Sequence, residues 1–249
     1  MLLPLYDQNP IVHIRFQAVT FLIIATCVAV FLWELALPPA PETELRFYRF
    51  AFVPGRLFGT AEGDLRPDLL WGIGSIATSM FLHAGFWHLV GNMLFLWVYG
   101  DNVEDATGHV RFVVFYLVCG AAAAMAQAAA DPHTAVPMIG ASGAISGVLG
   151  AYLVLHPGAR ILVMTFFFLT FQLRAFWVLG LWIVYQVVLG LASDGREGVA
   201  WWAHVGGFVA GAVLITVFRR RGVPLFGRGP IPPRRSRSSI PRISRRRRR

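Results

Sequence analysis

Several stretches of this chain are too long and too apolar to be the inside of a water-soluble domain. A helix needs about 20 mostly apolar residues to cross the hydrocarbon of a bilayer. Runs of that kind occupy residues 16–37, 86–104, 110–130, 141–157, 175–192 and 201–218. Lipid offers the backbone no hydrogen-bond partner, so such segments must be helices or closed barrels, and runs this apolar on all sides are helices. The expected fold class is therefore all-α: a polytopic membrane protein whose bundle has six transmembrane helices. Composition agrees, with 56% hydrophobic and 14% charged residues, against about 25% charged in a soluble domain.

Two further apolar features need placing. The run beginning at Phe16 has Arg15 as its upstream basic residue, and it is too long for a signal-peptide core of about 7–15 residues. It is kept as a span. The stretch 161–171 is short and is followed by Gln172 and Arg174, so it is placed at the membrane interface, not as a seventh span. The resulting organisation is a cytoplasmic N-terminal segment (1–15), a six-span domain (16–218) with a long external loop (38–85), and a tail (219–249).

The net charge of +9 belongs to that tail. The chain has no lysine, and 13 of its 22 basic residues follow Phe218. A Pro/Ser/Arg-rich segment buries too little apolar surface to fold. It is read as disordered, resting on anionic lipid headgroups. No folded reader accompanies it, so nucleic acid is not an expected partner. Basic flanks stay in the cytoplasm, and an even number of spans puts the N-terminus there as well. Cys27 and Cys119 lie inside apolar runs, where buried free thiols are expected, not a disulfide or a zinc ribbon.

This orientation has a chemical consequence. The even-numbered spans all start at the external face. Near those starts lie His88 and Asn92 in span 2, Ser142 in span 4 and His204 in span 6. Ionisable groups inside a bilayer are costly, and a histidine there is a functional hypothesis by default. A serine hydroxyl becomes a nucleophile when a base takes its proton, and imidazole is suited to that work. Ser142 and His204 form a dyad if spans 4 and 6 touch. Small residues on both spans favour that contact: Gly143, Gly147 and Gly150 on one, Ala203, Gly207 and Gly211 on the other. Gly140 precedes the serine in the run Gly140-Ala141-Ser142-Gly143.

Acyl transfer also needs donors for the oxyanion. His88 and Asn92 are four apart, on one helical face. Ser142 opens its helix, where backbone N–H groups lack intrahelical acceptors and the dipole favours negative charge. A hole built from these two side chains and the Ser142 N–H is expected. No acid lies near these positions in the three spans, so the expected mechanism has no third, acidic member. Neither metal nor cofactor is expected, because the HExxH pattern of zinc proteases is absent. An aspartyl protease would need two acids at one depth, and "YGDN" offers one. His83 is read as structural, and His13, His109, His133 and His156 as surface residues.

The segments "HAGFWHLVGN" (83–92), "GASG" (140–143) and "AHVGGFVAG" (203–211) together resemble the rhomboid intramembrane serine proteases, as does "YGDNVEDATGHVRF" at the junction of spans 2 and 3. The resemblance implies Ser142 as nucleophile, His204 as base, and His88 and Asn92 as oxyanion ligands. It implies a bacterial-type six-helix bundle with a cavity open to the outside, in a prokaryotic inner membrane, cutting membrane-anchored proteins in or near their spans. Loop 192–200 and span 5 would be cap and lateral gate. Two positions depart from the family pattern. Gly74-Ser75 stands where many members have Trp-Arg. Ser146 stands where many have an aromatic residue stacked on the histidine, so the support of the His204 ring is open. A second reading is a non-catalytic scaffold that grips transmembrane helices; it has no need of the Ser142/His204 pair.

Overall fold

The structure is a computed structural model that describes residues 3–37, 49–58, 69–165, 168–193 and 198–227. Most of the expected tail, much of the 38–85 loop and part of the 192–200 loop lie outside the described residues. In chain order the elements are β1 (Leu3–Asp7), α1 (Ala18–Leu35), α2 (Pro54–Leu57), α3 (Leu69–Ser79), α4 (Phe86–Thr107), α5 (His109–Ala130), α6 (Ser142–Leu155), β2 (Arg160–Met164), β3 (Thr170–Arg174), α7 (Ala175–Ala192) and α8 (Trp201–Phe218). Helices α1, α5, α7 and α8 are long and apolar enough to cross a membrane, and α6 is a shorter apolar helix. Helix α4 has 22 residues and carries Asp101, Glu104 and Asp105 near its C-terminus.

Helix α6 is the axis of the bundle. From Gly143 to Tyr152 every residue is buried. A helix enclosed on all sides by protein must use small residues wherever a neighbour comes close, and its sequence does so. A Cβ added to Gly211 would land on the Gly147 carbonyl, and one added to Gly207 on the Gly143 carbonyl. One added to Gly150 would land on the carbonyl of Phe208. Helices α6 and α8 thus touch backbone to backbone along three successive steps, the arrangement small residues at four-residue spacing permit.

The acidic end of α4 organises the opposite end of the bundle from Ser142. Glu104 is fully buried. It accepts hydrogen bonds from the N–H groups of Val19 (2.9 Å) and Thr20 (2.8 Å) and from Thr20 Oγ1 (2.7 Å). Helix α1 has no side-chain cap of its own, and a helix start leaves four N–H groups without partners. The carboxylate of α4 satisfies two of them and meets the positive end of the dipole. Asp105 does similar work for the approach to α1, accepting from the N–H groups of Val12, His13 and Ile14. Gly108, at φ +86°, ends α4 and lets α5 start at once. Its N–H donates to the Glu104 carbonyl at 2.7 Å, a left-handed stop that glycine makes at little cost.

One element of this end was not anticipated from the sequence. The stretch 161–171, expected only to lie at the interface, supplies the hairpin β2–β3, with Ile161 opposite Leu173 and Val163 opposite Phe171. The N-terminal β1 adds antiparallel to β2, pairing Leu3 with Met164 and Asp7 with Ile161. Ile161 and Val163 are buried and alternate with more exposed neighbours, the period-two pattern of a strand. The run is so uniformly apolar that this alternation is invisible in it. Asp7, at the end of β1, is buried. It accepts hydrogen bonds from Tyr152 Oη at 2.6 Å and Asn102 Nδ2 at 3.2 Å. The chain after α8 returns to the same end, where Arg220 N–H donates to Ala106 and Phe226 N–H to Val154. Both described chain ends therefore lie at one end of the bundle. His13 and His109 are exposed as expected but bonded to Asp105 and Glu104. His156 differs from the expected surface position: it is half-buried, with its ring 5.3 Å from that of Tyr152.

Two outcomes follow from this geometry. Gly211→Ala forces α6 and α8 apart and costs about 1–3 kcal/mol, as overpacking does. The thermal midpoint of the purified protein in detergent falls accordingly. Gly180→Ala, where a Cβ meets nothing within 4 Å, leaves the midpoint unchanged or raises it. The second outcome concerns pH. Burial raises the Asp7 pKa from 3.8 to about 7, against the lowering effect of the Tyr152 hydrogen bond. Between about pH 4 and pH 7, folded Asp7 keeps a proton that the unfolded chain has released, so stability at this site declines as pH rises through that window. Hydrogen exchange of Leu3–Asp7, corrected for its intrinsic pH dependence, is faster at pH 8 than at pH 6. In Asp7→Asn the difference disappears.

Candidate active site

Four helices bring the site together. Ser142 is the first residue of α6, and its N–H belongs to the terminal amides that have no acceptor within the helix. His204 lies in the first turn of α8. The glycine contacts hold these two helix starts side by side. His204 Nε2 and Ser142 Oγ are 2.9 Å apart, within normal hydrogen-bond range. The structure brings these two sequence-predicted residues together.

Gly140 links this pair to α4. It adopts φ +117°, and its N–H donates to the Ser79 carbonyl at 2.9 Å. A Cβ at Gly140 would lie 2.8 Å from His88 Cε1, 2.9 Å from His88 Nε2 and 3.9 Å from Asn92 Nδ2. The His88 and Asn92 side chains therefore border the backbone two residues before the serine. Asn92 is buried, and its Nδ2 donates to the His88 carbonyl at 3.0 Å. A carboxamide carries two N–H donors, so one remains for another acceptor. The His83 ring lies 5.3 Å from that of His88, and its Nδ1 is 3.2 Å from the Phe81 carbonyl. Gly143 and Gly207, expected as packing residues near the site, are where the two helices meet.

What holds the His204 ring is not legible in the sequence. Its Nδ1 lies 2.7 Å from Gln186 Oε1 on α7. Two indoles flank it, with ring centroids at 6.0 Å for Trp182 and 6.2 Å for Trp201. Ser146, which stands where many family members have the stacking aromatic residue, donates its hydroxyl to the Ser142 carbonyl at 2.6 Å. The missing signal was available in part: a glutamine in the middle of an apolar span needs a partner. Nothing in one sequence names that partner.

The groups line one cavity of about 860 Å³. Its wall includes Ser142, His204, His88, Asn92 and Gln186. Its lining also includes Asp131 and Thr134, in the loop that leads into α6. The nucleophile candidate, the base candidate and the amide donors thus share one space.

The Rhomboid domain family matches residues 70–221, more than half of the chain. The chain belongs to the rhomboid family. It is 40% identical over 96 residues to Rhomboid protease GluP of Bacillus subtilis, an overlap of 39% of this chain and 18% of that protein. It is 30% identical over 206 residues to RHOMBOID-like protein 1 of Arabidopsis thaliana, covering 82% of this chain and 48% of that protein. Inactive rhomboid protein 1 of Drosophila melanogaster is 32% identical over 89 residues, 36% of this chain and 6% of that protein. The chain thus spans less than half the length of each of these relatives. As a rhomboid it is a multi-pass membrane protein, and relatives named as proteases and as inactive both resemble it.

The close fit around Gly140 has a measurable consequence. Gly140→Ala must both push the His88 ring aside and hold alanine at a left-handed φ, a conformation that costs about 1–2 kcal/mol outside glycine. The thermal midpoint of the purified protein in detergent falls, while the helical content measured by circular dichroism is unchanged.

Proposed function

We propose that this rhomboid is an intramembrane serine endopeptidase that cuts membrane-anchored proteins in or near their transmembrane segments. The observation that carries the reading is the 2.9 Å contact between His204 Nε2 and Ser142 Oγ, in a cavity that also presents His88 and Asn92. Ser142 Oγ attacks the scissile carbonyl as its proton passes to His204 Nε2. The new C–O bond makes a tetrahedral oxyanion, met by the Ser142 N–H and by His88 and Asn92. Collapse expels the amine, which takes the proton from His204, and leaves an acyl-enzyme. Water entering at the loop side then repeats the sequence on the ester and frees Ser142. No metal or cofactor takes part.

The length of α6 supports a site within the bilayer. Its 14 residues span about 21 Å at 1.5 Å per residue, short of a hydrocarbon core of about 30 Å. With its C-terminus at the sheet end, α6 starts below the opposite surface, and Ser142 with it. A substrate helix hides its carbonyls in its own hydrogen bonds, so the strand that is cut must unwind first. Substrates therefore carry small residues at the cut and helix breakers nearby. We place both termini in the cytoplasm of a prokaryotic inner membrane, with the arginine-rich tail on anionic lipid headgroups.

The similarity to an inactive relative motivates the alternative, a scaffold that binds transmembrane helices without cutting them. A scaffold gives no reason for an imidazole nitrogen to face a serine hydroxyl at the end of a cavity. Fluorophosphonate labelling separates the two readings. Wild-type protein in detergent is labelled and Ser142→Ala is not; equal labelling of both, or none in folded wild type, overturns the protease reading. Asn92→Ala lowers kcat about 10²–10³-fold, the loss seen when one oxyanion donor is removed. KM changes little, because that donor acts mainly in the transition state.

A further inference from the structure

We infer that Gln186 is a positioning residue: its amide oxygen holds His204 in the tautomer that leaves Nε2 free to accept the Ser142 proton, and so ties the dyad to the placement of α7. This inference rests on the serine-hydrolase reading above. Gln186 is buried, at 4% exposure. The other buried residues of α7 are Ala175, Val178 and Leu179, all in its first two turns. In the second half of the helix, the one side chain turned fully inward is a polar one. Burying a carboxamide is unfavourable unless it is hydrogen-bonded, and the partner found is His204 Nδ1 at 2.7 Å.

The chemistry of the two groups gives this contact a direction. A neutral imidazole has one N–H and one bare nitrogen. The amide oxygen only accepts, so Nδ1 carries the ring proton. Nε2 is then bare and faces the Ser142 hydroxyl at 2.9 Å, as a general base requires. The opposite tautomer would put a proton on Nε2 and leave Ser142 without a base. A carboxylate in this position would also stabilise the imidazolium that forms. A neutral amide orients the ring and selects its tautomer without adding that charge.

Helix α7 presents more than the amide. Trp182 is four residues before Gln186, on the same helical face, and its indole lies 6.0 Å from the His204 ring. One face of α7 therefore supplies a ring wall and a hydrogen-bond acceptor to the same imidazole. That helix is also thinly anchored, with four buried residues among its 18. Sliding α7 away from α8 would break the Nδ1 contact and release the ring to the other tautomer.

The test combines spectroscopy with kinetics on the full chain, with ¹⁵N-labelled histidine in detergent. In both wild type and Ser142→Ala, the His204 nitrogen shifts report a proton on Nδ1 and a bare Nε2. In Gln186→Met, close in volume, the ring becomes a mixture of tautomers. With a transmembrane peptide substrate, Gln186→Met lowers kcat by about 10- to 100-fold, part of the about 10²–10⁴ that a positioned base provides, with KM nearly unchanged. Gln186→Glu keeps an acceptor and recovers most of the loss. Its charge favours the imidazolium, so the acid limb of its kcat/KM profile moves to higher pH. An Nε2-protonated ring in the wild type overturns the inference. So does a cleaving wild type whose kcat and pH profile are unaltered in Gln186→Met. A wild type that neither cleaves nor labels overturns the protease reading instead, and the nitrogen shifts still report on Gln186.

Discussion

The backbone contact between α6 and α8 is the interaction on which the rest of this structure depends. Membrane helices gain nothing from hiding apolar surface from water, since lipid is equally apolar. Their association relies on close van der Waals fit. Here the fit is between glycine faces and carbonyl groups, repeated at Gly143, Gly147 and Gly150 on one side and Gly207, Phe208 and Gly211 on the other. Because both helices start at the same end of the cavity, this seam sets the distance between a hydroxyl and an imidazole. A seam of leucines would hold two helices together with equal security, but several ångströms further apart.

The polar groups of the molecule divide between the two ends of the bundle. At one end Glu104 and Asp105 are saturated by backbone N–H groups of the first helix and its approach. They are tied into structure. At the other end Ser142, His204, His88 and Asn92 border an 860 Å³ space, and Asn92 keeps one amide N–H for another acceptor. An acid inside an apolar protein is often read as functional. In this rhomboid Glu104 and Asp105 are architectural, and the cavity is bordered by serine, histidine and asparagine.

Much of this was legible in the sequence, and the reasons for the rest differ. Helices α1, α5, α7 and α8 and the shorter α6 were legible from apolar length, and the nearness of Ser142 and His204 from their placement at corresponding ends of two spans. The small residues of α6 and α8 announced close contact correctly. The β2–β3 hairpin was hidden because Arg160–Met164 is apolar on both faces and shows no alternation in its letters. The partner of His204 was hidden for another reason. Gln186 precedes it by 18 residues on a different helix, and the local sequence carries no trace of that pairing. Ser146 left the support of the ring open, and Trp182 and Gln186 provide it.

The sheet that closes the base has a bearing on how the chain is made. Strand β1 precedes the first helix, and the strand it joins begins at Arg160. Asp7 and the Tyr152 hydroxyl it accepts from are 145 residues apart. During synthesis, at about 5–20 residues per second, the leading segment therefore waits several seconds with an unmatched strand edge. Three further helices of the bundle, α4, α5 and α6, are made between the first helix and that pairing. Strand β1 is thus clasped late, after α4, α5 and α6 have been made and before α7 and α8.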